Sequence, residues 1–128
     1  IAAIGYCFGG SMVLNAIRLG YPLNAGVSFH GGLQVLPAPA SNIAAQVLVC
    51  HGEADAFVGK DDVQAFRTQL DSLHISYQWK SYPEATHAFT NPEATRIGEK
   101  FQLPIRYDAQ ADRQSWQDMK NFLQTIFK

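Results

Sequence analysis

The residue best equipped for chemistry is Cys7, set in Gly5-Tyr6-Cys7-Phe8-Gly9-Gly10 after the apolar run "IAAIGY". Gly-x-Cys-x-Gly between a strand and a helix has the spacing of a nucleophile elbow, with sulfur in place of a serine hydroxyl. An elbow strains its central residue and crowds the positions two before and two after it. Gly5 and Gly9 therefore have a steric reason to be glycine. The turn lifts the sulfur over the first turn of the following helix, where unpaired N–H groups and the positive dipole end favour thiolate over thiol. The N–H of Phe8 would then face a developing oxyanion. Two other readings compete. A dinucleotide-binding fingerprint needs a glycine where Cys7 stands, and a plain strand–helix turn would use the cysteine only as a small filler.

An activated thiol needs a base, and the base needs an acid to orient it. The chain has four histidines: His30, His51, His74 and His87. His74 falls in the tail of a helix, as a dipole partner, and His51 ends a strand just before "GEADAFV", where it supports the turn. His30 ends a strand in "SFHGG" and either lines a pocket or serves the fold. His87 lies in the loop "PEATHAF" after the last strand, from which a side chain can reach back over the sheet ends. Two acids compete to orient it, Glu53 and Asp55. Asp55, followed by Phe57-Val58, fits the hydrolase pattern better, and the order nucleophile, acid, histidine is that of the α/β-hydrolases. Tyr6, His30, Phe57 and Phe89 are the candidate substrate-binding side chains.

These residues need a scaffold, and the apolar pattern supplies one. Strands are expected at Ile1–Tyr6, Ala25–His30, Gln46–His51 and Ser76–Tyr82. Helices are expected at Gly9–Leu19, Asp61–Leu73 and Ala111–Phe127, the last with Trp116, Met119, Leu123 and Ile126 along its inner stripe. A long loop is expected from Glu84 to Asp108. Alternating strands and helices predict an α/β fold with a mainly parallel sheet whose strand C-terminal ends carry the site. At 128 residues the chain is one domain, 1–128, and its 47% hydrophobic content is that of a globular protein. A net charge of -1 offers no basic surface for nucleic acid or an anionic membrane. No apolar run approaches the roughly 20 residues of a membrane span. The second cysteine, Cys50, sits in the apolar run "QVLVCH" and reads as a buried, inert strand thiol.

Taken together, "GYCFGGSMVLNA", "HGEADAFV", "ATHAFTNP" and the closing "YDAQADRQSWQDMKNFL" resemble the dienelactone hydrolase family of α/β-hydrolases. The resemblance implies that Cys7 is the nucleophile, His87 the base and Asp55 its orienting acid. It implies cleavage of an ester or lactone through an acyl-enzyme, with neither metal nor organic cofactor. The founding members carry an arginine shortly after the catalytic histidine to hold a substrate carboxylate. Here that stretch is Ala88-Phe89-Thr90-Asn91, while Arg96 and Arg106 lie further along the loop. The family fold has about eight strands, with the elbow after the fifth, so the chain is expected to be the C-terminal half of an α/β-hydrolase fold, with about four mainly parallel strands and flanking helices. The strand Ile1–Tyr6 would then have a bare apolar edge, a template for a homodimer. A cytoplasmic location is the expectation, because Ile1–Tyr6 lacks the length and basic flank of a signal peptide. The rival readings are a non-catalytic binding or scaffold domain, an inactive hydrolase fragment, and a thiol redox sensor.

Overall fold

The short apolar runs pair as parallel strands. In the computed structural model, which describes all 128 residues, β1 (Ala2–Tyr6), β2 (Ala25–Phe29), β3 (Gln46–Gly52) and β4 (Tyr77–Tyr82) lie side by side in the order β1-β2-β3-β4. Every pairing is parallel. Helix α1 (Phe8–Arg18) follows β1 and α2 (Lys60–Ser72) precedes β4, while α3 (Ala94–Phe101) and α4 (Ala109–Ile126) close the chain. The fold is the α/β arrangement that the strand–helix alternation predicts.

Burial follows position in the sheet. All of β2 is buried, and all of β3 except Gln46, as expected for inner parallel strands covered on both faces. Successive side chains point to opposite faces, so β3 feeds two cores. Val47 and Val49 join Val13, Leu14 and Ile17 of α1 and Phe66 and Leu70 of α2. Leu48 and Cys50 join Val27, Phe29, Tyr82, Phe89 and the α4 residues Ala111, Met119 and Phe122. The strand β1 pairs on one side only, and Ile1, Ile4, Tyr6 and Phe8 are exposed beside its free edge. No helix is long and apolar enough to cross a membrane.

Three local expectations are corrected. The stretch expected as one loop after β4 contains α3, an amphipathic helix of about two turns that buries only Ala94 and Gly98. Gly98 is there for close packing: a Cβ would lie 2.4 Å from the Ile105 carbonyl oxygen. On α4 the inward line is Ala111, Ser115, Met119 and Phe122, with Trp116 exposed and Leu123 and Ile126 half-buried at its margin. On α1, Met12 and Leu19 face outward while Arg18 is buried. The Arg18 guanidinium is tolerated there because it donates to the Leu14 and Gln34 carbonyls, Asn15 Oδ1 and Gln69 Oε1, and lies over the Phe66 ring.

Candidate active site

Strand register brings the first two site residues together. Tyr6 of β1 pairs with Phe29 of β2, so the next residue of each strand, Cys7 and His30, emerges at the same C-terminal rim. The Cys7 N–H donates to the Phe29 carbonyl at 3.0 Å, and the His30 N–H to the Cys50 carbonyl at 2.9 Å. Cys7 has φ 52° and ψ -121°, a strained conformation for a residue with a Cβ and the one an elbow requires. His30 and Ala88 also have positive φ, at 41° and 62°, so backbone strain gathers at this rim.

The glycine bracket works differently from the expectation in one respect. A Cβ on Gly5 would lie 2.1 Å from the Gly9 carbonyl oxygen, which makes glycine obligatory at Gly5. A Cβ on Gly9 would meet nothing, so the crowding falls on the Gly9 backbone and not on a missing Gly9 side chain. Gly10 is the next crowded position: its Cβ would lie 2.5 Å from Ser28 Oγ and 3.2 Å from the Gly31 Cα and the Gly5 carbonyl oxygen.

Around the sulfur the side chains form two hydrogen-bonded arms. Cys7 Sγ is 3.2 Å from His30 Nδ1, and His30 Nε2 is 2.8 Å from Thr90 Oγ1. On the other side His87 Nδ1 is 3.0 Å from Asp55 Oδ2, which leaves its Nε2 as the nitrogen for Cys7. The other Asp55 oxygen accepts from the Phe57 N–H at 2.9 Å, and the Asp55 side chain is fully buried. Both carboxylate oxygens are therefore occupied, which fixes Asp55 against His87. The loop carrying His87 is held by a parallel bridge from His87 to Ile105 and by the Thr86 hydroxyl, which accepts from the Arg106 N–H.

The electrostatics follow from these contacts. The His30 hydrogen bond, then that of His87, pulls the Cys7 thiol down to about 6 against the opposing effect of burial. The Asp55 hydrogen bond, then that of Cys7, pushes His87 up to about 10. Between those values the rim holds a thiolate beside an imidazolium, the state in which a cysteine is nucleophilic. For His30 Nδ1–H to support the sulfur as a donor, its Nε2 must accept from the Thr90 hydroxyl.

The aromatic candidates separate. Phe57 is exposed and meets the His87 ring edge-on at 5.2 Å, and Tyr6 is part-exposed and stacked on Phe29 at 4.5 Å. Both stand exposed beside the Cys7 cluster, Tyr6 with its ring 6.0 Å from that of His30. Phe89, expected at the same wall, is fully buried and backs His30 edge-on at 4.9 Å. Phe8 caps the front, its ring exposed and its N–H at the first turn of α1, where no intrahelical acceptor is available. Glu53 is exposed, and the partner of His87 is Asp55. Arg96 pairs with Glu93, and Arg106 donates to the Glu84 carbonyl. A cavity of about 470 Å³ between β4 and α4, lined by Tyr82, Asp108, Gln114 and Asp118, includes none of the Cys7 cluster. The partners that sequence reasoning missed are Thr90 and the bond from His30 to sulfur. The signal was the pairing of "AAIGY" with "AGVSF", which aligns the residues that follow them.

The profile of the dienelactone hydrolase family matches residues 1–127. The chain belongs to the dienelactone hydrolase family. A protein of Caenorhabditis elegans described as uncharacterized is 32% identical over 134 residues, covering 99% of this chain and 80% of the worm protein. A dienelactone hydrolase-like promiscuous phosphotriesterase from metagenomic libraries superposes with a TM-score of 0.91 at 38% identity, covering 99% of this chain and 52% of that one. A structure named m3DLH superposes with a TM-score of 0.90 at 37% identity and the same coverage. The chain thus spans about half the length of these solved dienelactone hydrolase relatives.

Proposed function

We infer that this chain carries the thiol centre of a carboxylic-ester or lactone hydrolase. The observation that supports it most is the pair of arms on one sulfur, with Cys7 on its elbow between His30 and the His87–Asp55 couple. The Cys7 thiolate attacks the carbonyl carbon, and the oxygen that becomes negative is met by the Phe8 N–H. The His87 imidazolium gives its Nε2 proton to the departing alkoxide, leaving a thioester on Cys7. His87, now neutral, takes a proton from water as it attacks the thioester and keeps it, so that Cys7 leaves as the thiolate. The carboxylic acid loses its own proton to solvent, and the starting ion pair is restored. Asp55 keeps the Nδ1 proton in place throughout and stabilises the imidazolium. Tyr6 and Phe57 flank the acyl or leaving group.

Hydrolysis of a p-nitrophenyl ester tests this reading. The reading expects turnover that Cys7→Ala and Cys7→Ser both abolish, and turnover that survives Cys7→Ala contradicts it. One relative is described as a promiscuous phosphotriesterase, so a p-nitrophenyl phosphotriester is the second electrophile to offer the same sulfur.

A further inference from the structure

The same rim has a donor set that hydrolysis alone does not need. Cys7, His30 and His87 each present one ligand atom, and these atoms lie within 4.8 Å of one another. We propose that Cys7 Sγ, His30 Nδ1 and His87 Nε2 bind a thiophilic divalent cation, Zn²⁺ in the first instance, and that the bound ion reversibly shuts off the thiol. The inhibitory half rests on the functional reading above; the binding half does not.

The chemistry of the donors selects the ion. One thiolate and two imidazoles form a borderline-soft set, matched to zinc and cadmium and poorly matched to magnesium or calcium. Geometry agrees. Tetrahedral zinc, with bonds of about 2.3 Å to sulfur and 2.0–2.1 Å to nitrogen, spaces sulfur and nitrogen about 3.6 Å apart. Cys7 Sγ and His30 Nδ1 are already at 3.2 Å, so the ion needs this pair to open slightly, and the His87 ligand atom lies within 4.8 Å of both.

A second observation points the same way. Metal-bound histidines fix their ring by anchoring the other nitrogen on a carboxylate or another polar group. Both rings here are anchored in this manner, His87 through Nδ1 on Asp55 and His30 through Nε2 on Thr90. The Thr90 hydroxyl both donates and accepts, so His30 can present Nδ1 either as an N–H to sulfur or as a bare lone pair to a cation. The Cys7 thiolate and the buried Asp55 carboxylate together balance the two positive charges. Cys7 is half-buried and the His87 side chain is 24% exposed, which leaves an approach and a fourth position for water. Once bound, the ion occupies the sulfur lone pair and the His87 nitrogen that hydrolysis requires.

The test uses the full chain, reduced and freed of metal with a chelator. Zinc is titrated by calorimetry, cadmium by the ultraviolet thiolate-to-cadmium band, and ester hydrolysis is followed in parallel. The proposal expects one ion per chain, a cadmium band lost in Cys7→Ala, and hydrolysis that falls with occupancy and returns with chelator. His30→Gln and His30→Ala should each weaken zinc by more than about 100-fold, and Thr90→Val, which removes an anchor only, by about 10-fold. His74→Ala, at the exposed end of α2, should leave zinc affinity unchanged. Absence of the cadmium band, or zinc affinity unaltered by both Cys7→Ala and His30→Gln, overturns the site. Hydrolysis that rises with zinc overturns the inhibitory role. A chain that binds zinc through these ligands but never hydrolyses an ester keeps the site and sinks the functional reading, and the reverse result does the opposite.

Discussion

Cys7 and Cys50 are the same side chain at two depths of one sheet. Cys50 lies inside β3, packed among Val27, Phe29, Leu48 and Tyr82, and burial pushes its thiol up to about 12. Cys7 lies one residue past the end of β1, where His30 and then His87 bring it down to about 6. The backbone links them through a single strand: the Cys7 N–H bonds to Phe29, and the Cys50 carbonyl accepts from His30. The difference is therefore one of surroundings and not of distance. A sheet interior takes the thiol out of water, an effect larger than the opposing Tyr82 hydrogen bond, while the rim offers imidazoles and free helix N–H groups. The comparison explains why one cysteine is a packing residue and the other is the thiol proposed to carry the chemistry.

Removing the acid–base partner of the rim thiol should have the largest effect. His87→Gln is expected to lower ester hydrolysis by about 10²–10⁴-fold, the usual worth of a positioned acid–base group. Alkylation of the unaltered protein should show the contrast itself. A gap of six units between about 6 and about 12, offset by the higher intrinsic reactivity of the more basic thiolate, leaves Cys7 roughly 10³-fold faster than Cys50 toward iodoacetamide. Peptide mapping by mass spectrometry reads both rates, and equal rates would remove the activated-thiol argument.

A smaller shift should come from the other arm. His30→Gln removes the largest cause of the lowered thiol, so the acid limb of both alkylation and hydrolysis should move to higher pH, by about tenfold in rate per unit. In the unaltered protein hydrolysis should rise as pH passes about 6, where the Cys7 thiol ionises, and fall near about 10, where His87 loses its proton. The linkage to folding has the matching signs. Cys7 is depressed from 9.0, so its contribution is full above that value and lost as pH falls through about 6. His87 is raised from 6.5, so its contribution is full below that value and lost as pH rises through about 10. The least effect on chemistry belongs to the core thiol. Cys50→Ser should cost about 1–3 kcal/mol of stability, by burying a hydroxyl, and leave the Cys7 alkylation rate unchanged. A chemical melt and the mapping assay check the two halves.

The parts of this site that were legible in the sequence are those written into short contiguous stretches. Cys7 stands in a glycine bracket, and Asp55 and His87 stand in loops after apolar runs, so type and order pointed to them. His30 was visible only as a strand-end histidine, because its bond to sulfur depends on the Tyr6–Phe29 register between two chain segments. Thr90 was hidden for the same reason, its role being fixed by a ring sixty residues earlier. Phe89 looked like pocket wall because an aromatic in a site loop does not reveal which way it points. In the fold, the burial of Arg18 was obscured by its charge, which the buried hydrogen-bond acceptors around it offset.

The most direct test of the account is to catch the sulfur in the act. The chain is mixed with p-nitrophenyl acetate, quenched in acid and digested, and the peptide containing Cys7 is weighed. The account predicts an acetyl group on Cys7 that appears with the first burst of p-nitrophenol, is released by neutral hydroxylamine as a thioester is, and is missing from the corresponding peptide of Cys7→Ala. Acetylation at Ser11 or another residue in place of Cys7, or turnover with no adduct on Cys7 at any quench time, would contradict it.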